Sequence, residues 1–363
     1  MNRCIIYLQR RAHKAGAQSA LARLLKHPAS VPWNPVLVCS ETGWLTRELE
    51  KSGVRVLVQP FPSSRSLAGR LWLNHAFALS VRRRLMEENL VPVLVHANDH
   101  AESLLALALS KICKMPSVLH LRSGGMTRSD WEKYACSRHA HIIAVGDELK
   151  QRAQAWHPSG TIHCIYDGLA GDEFAPPKPR PAVFPGRLLV LGSPDAGKGW
   201  SDLVEALAQL DNETLPPMEF HFPADDSEKT RKIFTRQFAS RFSFRFLGRI
   251  ENFQEALRQY DLAINPSRFE SFGLAALETL AQGVPLVSSR VGVIERVIKQ
   301  PEYLFAPGQP ADMANALRRL VKNWTALPFD TTGCQQCIRE LFLIDRTWKE
   351  LNLIYADTLG PTS

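Results

Sequence analysis

The 363 residues contain no apolar run near the roughly 20 needed to cross a bilayer as a helix. The opening stretch, Met1-Asn-Arg-Cys-Ile-Ile-Tyr-Leu, is too short in its apolar part for a secretory signal and is expected to be a first strand. Cysteine is scarce and odd in number, seven in all, without the spacing of a disulfide framework. Cys334 and Cys337 form a single CxxC, which lacks the second half of a zinc site. His96, His100, His139 and His141 are likewise spaced for no closed metal site, and no Asp-x-Asp motif is present to hold a divalent ion. No metal or other cofactor is therefore expected, and reduced thiols in a cytoplasm are. Internal repeats are absent beyond a likeness between two αβ halves. Aromatic residues are not interleaved with the basic ones along a stripe, which argues against a nucleic-acid partner.

What is present is a globular composition, 45% apolar and 22% charged, long enough for about two domains. The net charge of +8 calls for an anionic partner or a local reason. Part of it is concentrated where Arg65, Arg70, Arg82, Arg83 and Arg84 bracket Leu71-Trp72-Leu73 and Phe77. Residues 65–84 read either as a crossover helix with a solvated charged face or as a basic amphipathic helix lying on an anionic membrane surface.

Through the first half, strand-like runs alternate with helical ones: 3–8, 35–39, 54–59, 91–96, 115–120 and 140–145 against helices beginning near 19, 44, 98 and 147. That alternation predicts an α/β domain whose parallel sheet is covered on both faces, with ligands collecting at the carboxyl ends of strands. His120 and Arg122 stand at such an end beside Gly124-Gly125. The proline-rich stretch 174–186 is an interdomain linker. The expected domains are thus 1–173 and 187–339, with a final segment 340–363.

The second half opens with the strand Leu188-Leu-Val-Leu191 and the loop Gly192-Ser-Pro-Asp-Ala-Gly-Lys198-Gly199. This nearly spells a P-loop, but Gly199 stands where a magnesium-holding Ser or Thr is required. Helices are expected over 229–238, 253–260, 310–323 and, amphipathically, 339–359, with a loop at 329–333. Between them, Asn265 to Glu295 reads as strand end, polar turn, helix and strand. Leu274, Leu277, Leu280 and Ala281 recur at helical spacing, and Gly283 and Pro285 stop the helix. Ser271, Phe272 and Gly273 precede it with backbone N–H groups suited to an anion.

Glu270 and Glu278 frame that turn, with Phe272-Gly273-Leu274, Gly283-Val-Pro285 and Val291-Gly292…Glu295 around them. The set resembles the donor-site signature of retaining GT-B glycosyltransferases, above all glycosyltransferase family 4. The resemblance implies two Rossmann-like doubly wound domains facing a cleft, the last helix crossing back to the first. It implies transfer of a sugar from a UDP, GDP or ADP sugar to an acceptor hydroxyl, as in lipopolysaccharide-core or O-antigen assembly, at or near the inner face of the plasma membrane. Glu270, His120 and Lys198 are its catalytic positions. Gly16, Ala17, Arg122, Ser193, Arg268, Ser271, Phe272, Gly273, Leu274 and Glu278 are its donor-binding ones, Lys198 meeting the diphosphate and Glu278 the ribose. Three departures stand out: Ser193 replaces the family's arginine, for which Arg268 or Arg249 is a substitute, Asp167 replaces an asparagine before Gly168, and Pro223-Ala-Asp225 replaces a glycine-rich turn. A non-catalytic sugar-nucleotide binder of the same fold and a P-loop NTPase are the alternatives.

Overall fold

The computed structural model describes residues 2–63, 67–211, 213–234, 241–250 and 252–360, with the backbone alone for 67–71. The chain divides into two compact units, Met1–Ala170 with Phe342–Ser363, and Gly171–Leu341.

The first unit is built on a parallel sheet of seven strands: β1 (Asn2–Gln9), β2 (Pro35–Cys39), β3 (Arg55–Val58), β4 (Leu90–Ala97), β5 (Ser117–Leu121), β6 (His141–Ala144) and β7 (Ile162–Cys164). Their spatial order is β3-β2-β1-β4-β5-β6-β7. Strands β2 and β5 and the last six residues of β1 are buried throughout, as expected of a parallel sheet covered on both faces. Because the order reverses between β1 and β4, the loops leaving these two strands open the crevice where doubly wound sheets bind ligands.

The second unit repeats the plan with six parallel strands: β8 (Arg187–Val190), β9 (Met218–Phe222), β10 (Phe242–Phe246), β11 (Ala263–Asn265), β12 (Leu286–Ser289) and β13 (Leu304–Phe305), in the order β10-β9-β8-β11-β12-β13. Here the reversal falls between β8 and β11. The loops at 192–199 and 266–273 leave these strands and meet there.

Three helices differ from the sequence-based expectation. The amphipathic run over 339–359 is two helices, Thr331–Leu341 and Ile344–Leu359, so the loop expected at 329–333 is already helical from Thr331. The break at Phe342 and Leu343 has a long-range cause. Leu169 N–H donates to Phe342 O and Ile344 N–H to Leu169 O, both at 2.9 Å, so Leu343 is drawn out as a one-residue strand. Beyond the break, Trp348, Leu351 and Tyr355 are buried in the core of the first unit beside Leu21, Leu24 and Leu25, and the Trp348 indole donates to Leu24 O at 2.9 Å. The helix expected over 229–238 runs over Glu228–Ile233, and its expected end at 235–238 lies outside the described residues. The one expected over 253–260 is only Phe253–Leu257.

The basic stretch is the helix Leu67–Glu87. Arg65, and the side chains of Arg70 and Leu71, lie outside the described residues. Trp72, Leu79 and Met86 are 70%, 45% and 61% exposed. Their spacing of seven places all three on one face, and the exposed Arg82 and Arg83 flank them. Among the described residues no helix is long and apolar enough to cross a membrane.

Candidate functional site

In the second unit, a close backbone approach fixes the site. Gly199, at φ +65°, ends the turn Ala196–Lys198, and a Cβ built on it would lie 1.8 Å from Pro266 O. Only glycine lets the loop after β8 touch the loop after β11. Arg268 N–H donates to Gly197 O at 2.8 Å and stitches the two together. Lys198 is thereby carried to Glu270: its Nζ donates to Oε1 at 2.7 Å, and the buried Ser267 hydroxyl donates to the same oxygen at 2.8 Å. Lys198 is about one-third exposed, so a solute can reach it.

Beyond Glu270 and Ser271, Phe272 is buried and its carbonyl accepts from Val293 N–H at 3.0 Å. Gly273, at φ +97°, turns the chain into the helix Leu274–Ala281. The first N–H groups of that helix have no intrahelical acceptor and carry the positive end of its dipole. At the far end, Gln335 Nε2 donates to Ala175 O at 2.7 Å and Ala281 O at 3.0 Å, which holds the helix axis in place. Leu274 packs into the core, and Glu278 sits half-buried one turn along.

Three cations border this switch point, and each faces a carboxylate. Lys198 has Glu270. Arg268 donates from Nε to Asp202 Oδ2 at 2.7 Å and from Nη2 to Oδ1 of the same residue. Its guanidinium is thus held by a carboxylate that is itself buried. Lys229 reaches Asp195, which also accepts from the Ser193 hydroxyl at 2.8 Å. These contacts, that of Lys229 first, hold Asp195 below the usual carboxylate range. Asp195, Asp202 and Lys229 were not signalled by the sequence. An acidic residue in the first turn of a helix, as Asp202 is, reads as ordinary dipole compensation.

At the switch point of the first unit the polar groups are buried. Arg122, 7% exposed, donates from Nε to Asn98 Oδ1 at 2.8 Å and from Nη1 to Asp167. Asn98 Nδ2 in turn donates to Gln9 Oε1 at 2.5 Å and to Ala17 O at 3.5 Å. Arg122, expected at the donor, forms an internal ion pair with Asp167. That pairing gives Asp167 a physical reason: a buried guanidinium requires a buried anion. Gly16 opens the helix Gly16–Lys26 with nothing within 4 Å of a built Cβ, and Ala17 follows it, half-buried.

His120 is fully buried. Its Nδ1 lies 3.4 Å from Arg122 Nη2, a group that can only donate, so its proton belongs on Nε2. That Nε2 has no hydrogen-bond partner. Burial, then the charge of Arg122, then His96 hold the imidazole neutral, well below the usual histidine range. His96 is also held neutral, down to about 3, and its Nδ1 meets Tyr355 Oη at 2.7 Å.

Close by, Glu102 is 1% exposed. Its Oε1 accepts from Arg10 N–H at 2.9 Å and its Oε2 has no partner. Burial first, then the neighbouring Asp99, push its carboxyl up to about 8. Among the described residues, no group of three or more His, Cys, Asp or Glu side chains is placed to hold a metal ion.

Residues 185–323 match the family model of glycosyl transferases group 1. The chain is 28% identical to a glycogen synthase of Mycobacterium tuberculosis over 279 residues, 70% of this chain and 67% of that one. It is 25% identical to the lipopolysaccharide core biosynthesis mannosyltransferase LpsB of Rhizobium meliloti over 224 residues, 56% of this chain and 60% of that one. The crystal structure of Anabaena Alr3699/HepE in complex with UDP and glucose superposes with a TM-score of 0.78 over 98% of this chain and 100% of that one. At 17% identity this last likeness speaks for the fold alone.

Proposed function

We propose that this chain, a GT-B glycosyltransferase, moves a sugar from a nucleoside diphosphate to a hydroxyl of a cell-envelope glycan or glycolipid, with retention of anomeric configuration. The observation that carries the donor half is the convergence of Lys198, Glu270 and the start of the helix Leu274–Ala281 at the switch point of the second unit. In the transfer, the bond from the sugar carbon to the diphosphate breaks and a bond to the acceptor oxygen forms on the same face. The acceptor proton passes to a diphosphate oxygen. Negative charge grows on the leaving diphosphate, and pre-aimed positive groups stabilise that charge more than the ground state. Lys198 and the N–H groups around Gly273 supply them without a metal. Glu278 takes the ribose hydroxyls, and Glu270 lies by the sugar. His120, held neutral, does not serve as an acid.

The envelope acceptor rests on the relative LpsB and on the exposed stripe Trp72, Leu79 and Met86 beside Arg82 and Arg83. That stripe has the composition of a helix that seats on anionic lipid, which supports a seat on the cytoplasmic face of the plasma membrane. A P-loop NTPase is not favoured, since Gly199 offers no hydroxyl to magnesium.

Calorimetric titration of UDP, GDP and ADP, with and without magnesium, tests the donor assignment on wild type and Glu278→Ala. Metal-independent binding of one diphosphate, weakened at least about tenfold by loss of charged hydrogen bonds, is expected. Binding only of ATP or GTP with magnesium, indifferent to Glu278, would refute it.

A further inference from the structure

The three ion pairs at the donor switch point are not equally tight, and the difference singles out one cation. Arg268 grips Asp202 through two nitrogens, and the Asp202 side chain is only 2% exposed. Withdrawing Arg268 would strand a buried carboxylate, which is strongly unfavourable, so this cation stays where it is. Lys198 shares Glu270 with the Ser267 hydroxyl and is the only cation of the turn that closes the loop after β8. Lys229 differs from both. In its pair with Asp195, the side chains are 58% and 65% exposed. An exposed pair of this kind contributes little and gives way easily.

Asp195 also ties Lys229 to the loop that presents Lys198. Its backbone carbonyl accepts from Lys198 N–H at 2.8 Å, and one carboxylate oxygen is engaged by Ser193 Oγ. Lys229 therefore comes to rest on the same carboxylate as Ser193, on a long flexible stem suited to changing partners. We propose that Lys229 is a diphosphate-binding residue of the donor site. It parks on Asp195 while the site is empty and turns to a phosphate oxygen when the donor enters. The inference rests on the donor-site assignment above and adds a second cation to it.

The test is calorimetric titration of the nucleoside diphosphate that wild type binds, beside its monophosphate, on Lys229→Met and Asp195→Asn. Lys229→Met is expected to raise the diphosphate Kd about tenfold, the low end for one hydrogen bond to a charged group. The monophosphate Kd should change less than about twofold, because the distal phosphate is the one lost to Lys229. Asp195→Asn, which removes the competing carboxylate, is expected to tighten diphosphate binding. Thermal melting of both variants should match wild type, since the pair is exposed. An unchanged diphosphate Kd in Lys229→Met overturns the inference, as does an equal loss for both nucleotides. If wild type binds no nucleoside diphosphate, the donor assignment fails first. If it binds and Glu278→Ala weakens it while Lys229→Met does not, Lys229 alone is excluded.

Discussion

Glu102 makes the first unit less stable as the pH rises, and Glu102→Gln removes that dependence. The carboxyl is pushed up from 4.5 to about 8 in the folded chain by burial and by Asp99. Between those values the unfolded chain has released the proton and the folded chain has kept it. The folded state binds more protons, so stability falls with rising pH across this window and levels off above about 8. Each pH unit costs about 1.4 kcal/mol. From about pH 5 to about pH 7.5 the loss is therefore roughly 3 kcal/mol.

Glutamine has the same shape and no proton to lose. Its amide meets the same Arg10 N–H, and any constant cost at the unpartnered Oε2 position cancels in the pH difference. His96, held neutral down to about 3, does not titrate between the two pH values, and a Glu102→Gln/His100→Gln pair against His100→Gln removes the contribution of His100, whose proton the charge of Glu102 helps to hold. Differential scanning calorimetry of wild type and Glu102→Gln at the two pH values reads the effect. The gap between their first-unit melting temperatures should widen by on the order of 6–12 °C toward the higher pH, at about 2–4 °C per kcal/mol for a unit of this size. Parallel pH profiles would show that Glu102 is already ionised in the folded chain and refute the reasoning.

Arg122→Ala leaves Asp167 buried without its cation and should destabilise the first unit by about 3–5 kcal/mol. Arg122→Ala/Asp167→Asn should recover much of the loss in the same melts, which a ligand-binding role for Arg122 would not produce. Trp72→Glu places a carboxylate in the exposed stripe and should abolish co-sedimentation with anionic vesicles of phosphatidylglycerol while leaving nucleotide binding intact. Unaltered sedimentation would remove the helix Leu67–Glu87 from membrane contact.

Much of the architecture was legible because its causes are local. Runs such as Leu188–Leu191 have no polar face and must be inner strands, and the helix before Gly283 carries its own period and stop. The loop contacts at the switch point of the second unit were half legible. Lys198 and Glu270 stand 72 positions apart, and their pairing comes from Gly199 meeting Pro266, a backbone approach with no periodic signature. The pairing of Arg122 was not legible because its partner Asp167 lies on another connection. A basic residue at a strand end looks the same in sequence whether it meets a ligand or a buried acid. The break at Leu343 had no local signal at all, since its cause is Leu169.

The pairing of Leu169 with Leu343 also bears on how the protein is made. The first unit draws Trp348, Leu351 and Tyr355 into its core, and Tyr355 completes the hydrogen-bonded run with Tyr7 and His96. During synthesis, residues 1–170 therefore emerge with a gap in their core that stays open while all of 171–341 is translated. At elongation rates of up to about 20 residues per second, that is several seconds or more of exposed apolar surface. The second unit, contiguous in sequence, can finish folding within that interval. The unit begun first is thus the last to close, and it is the natural client for a chaperone on the ribosome.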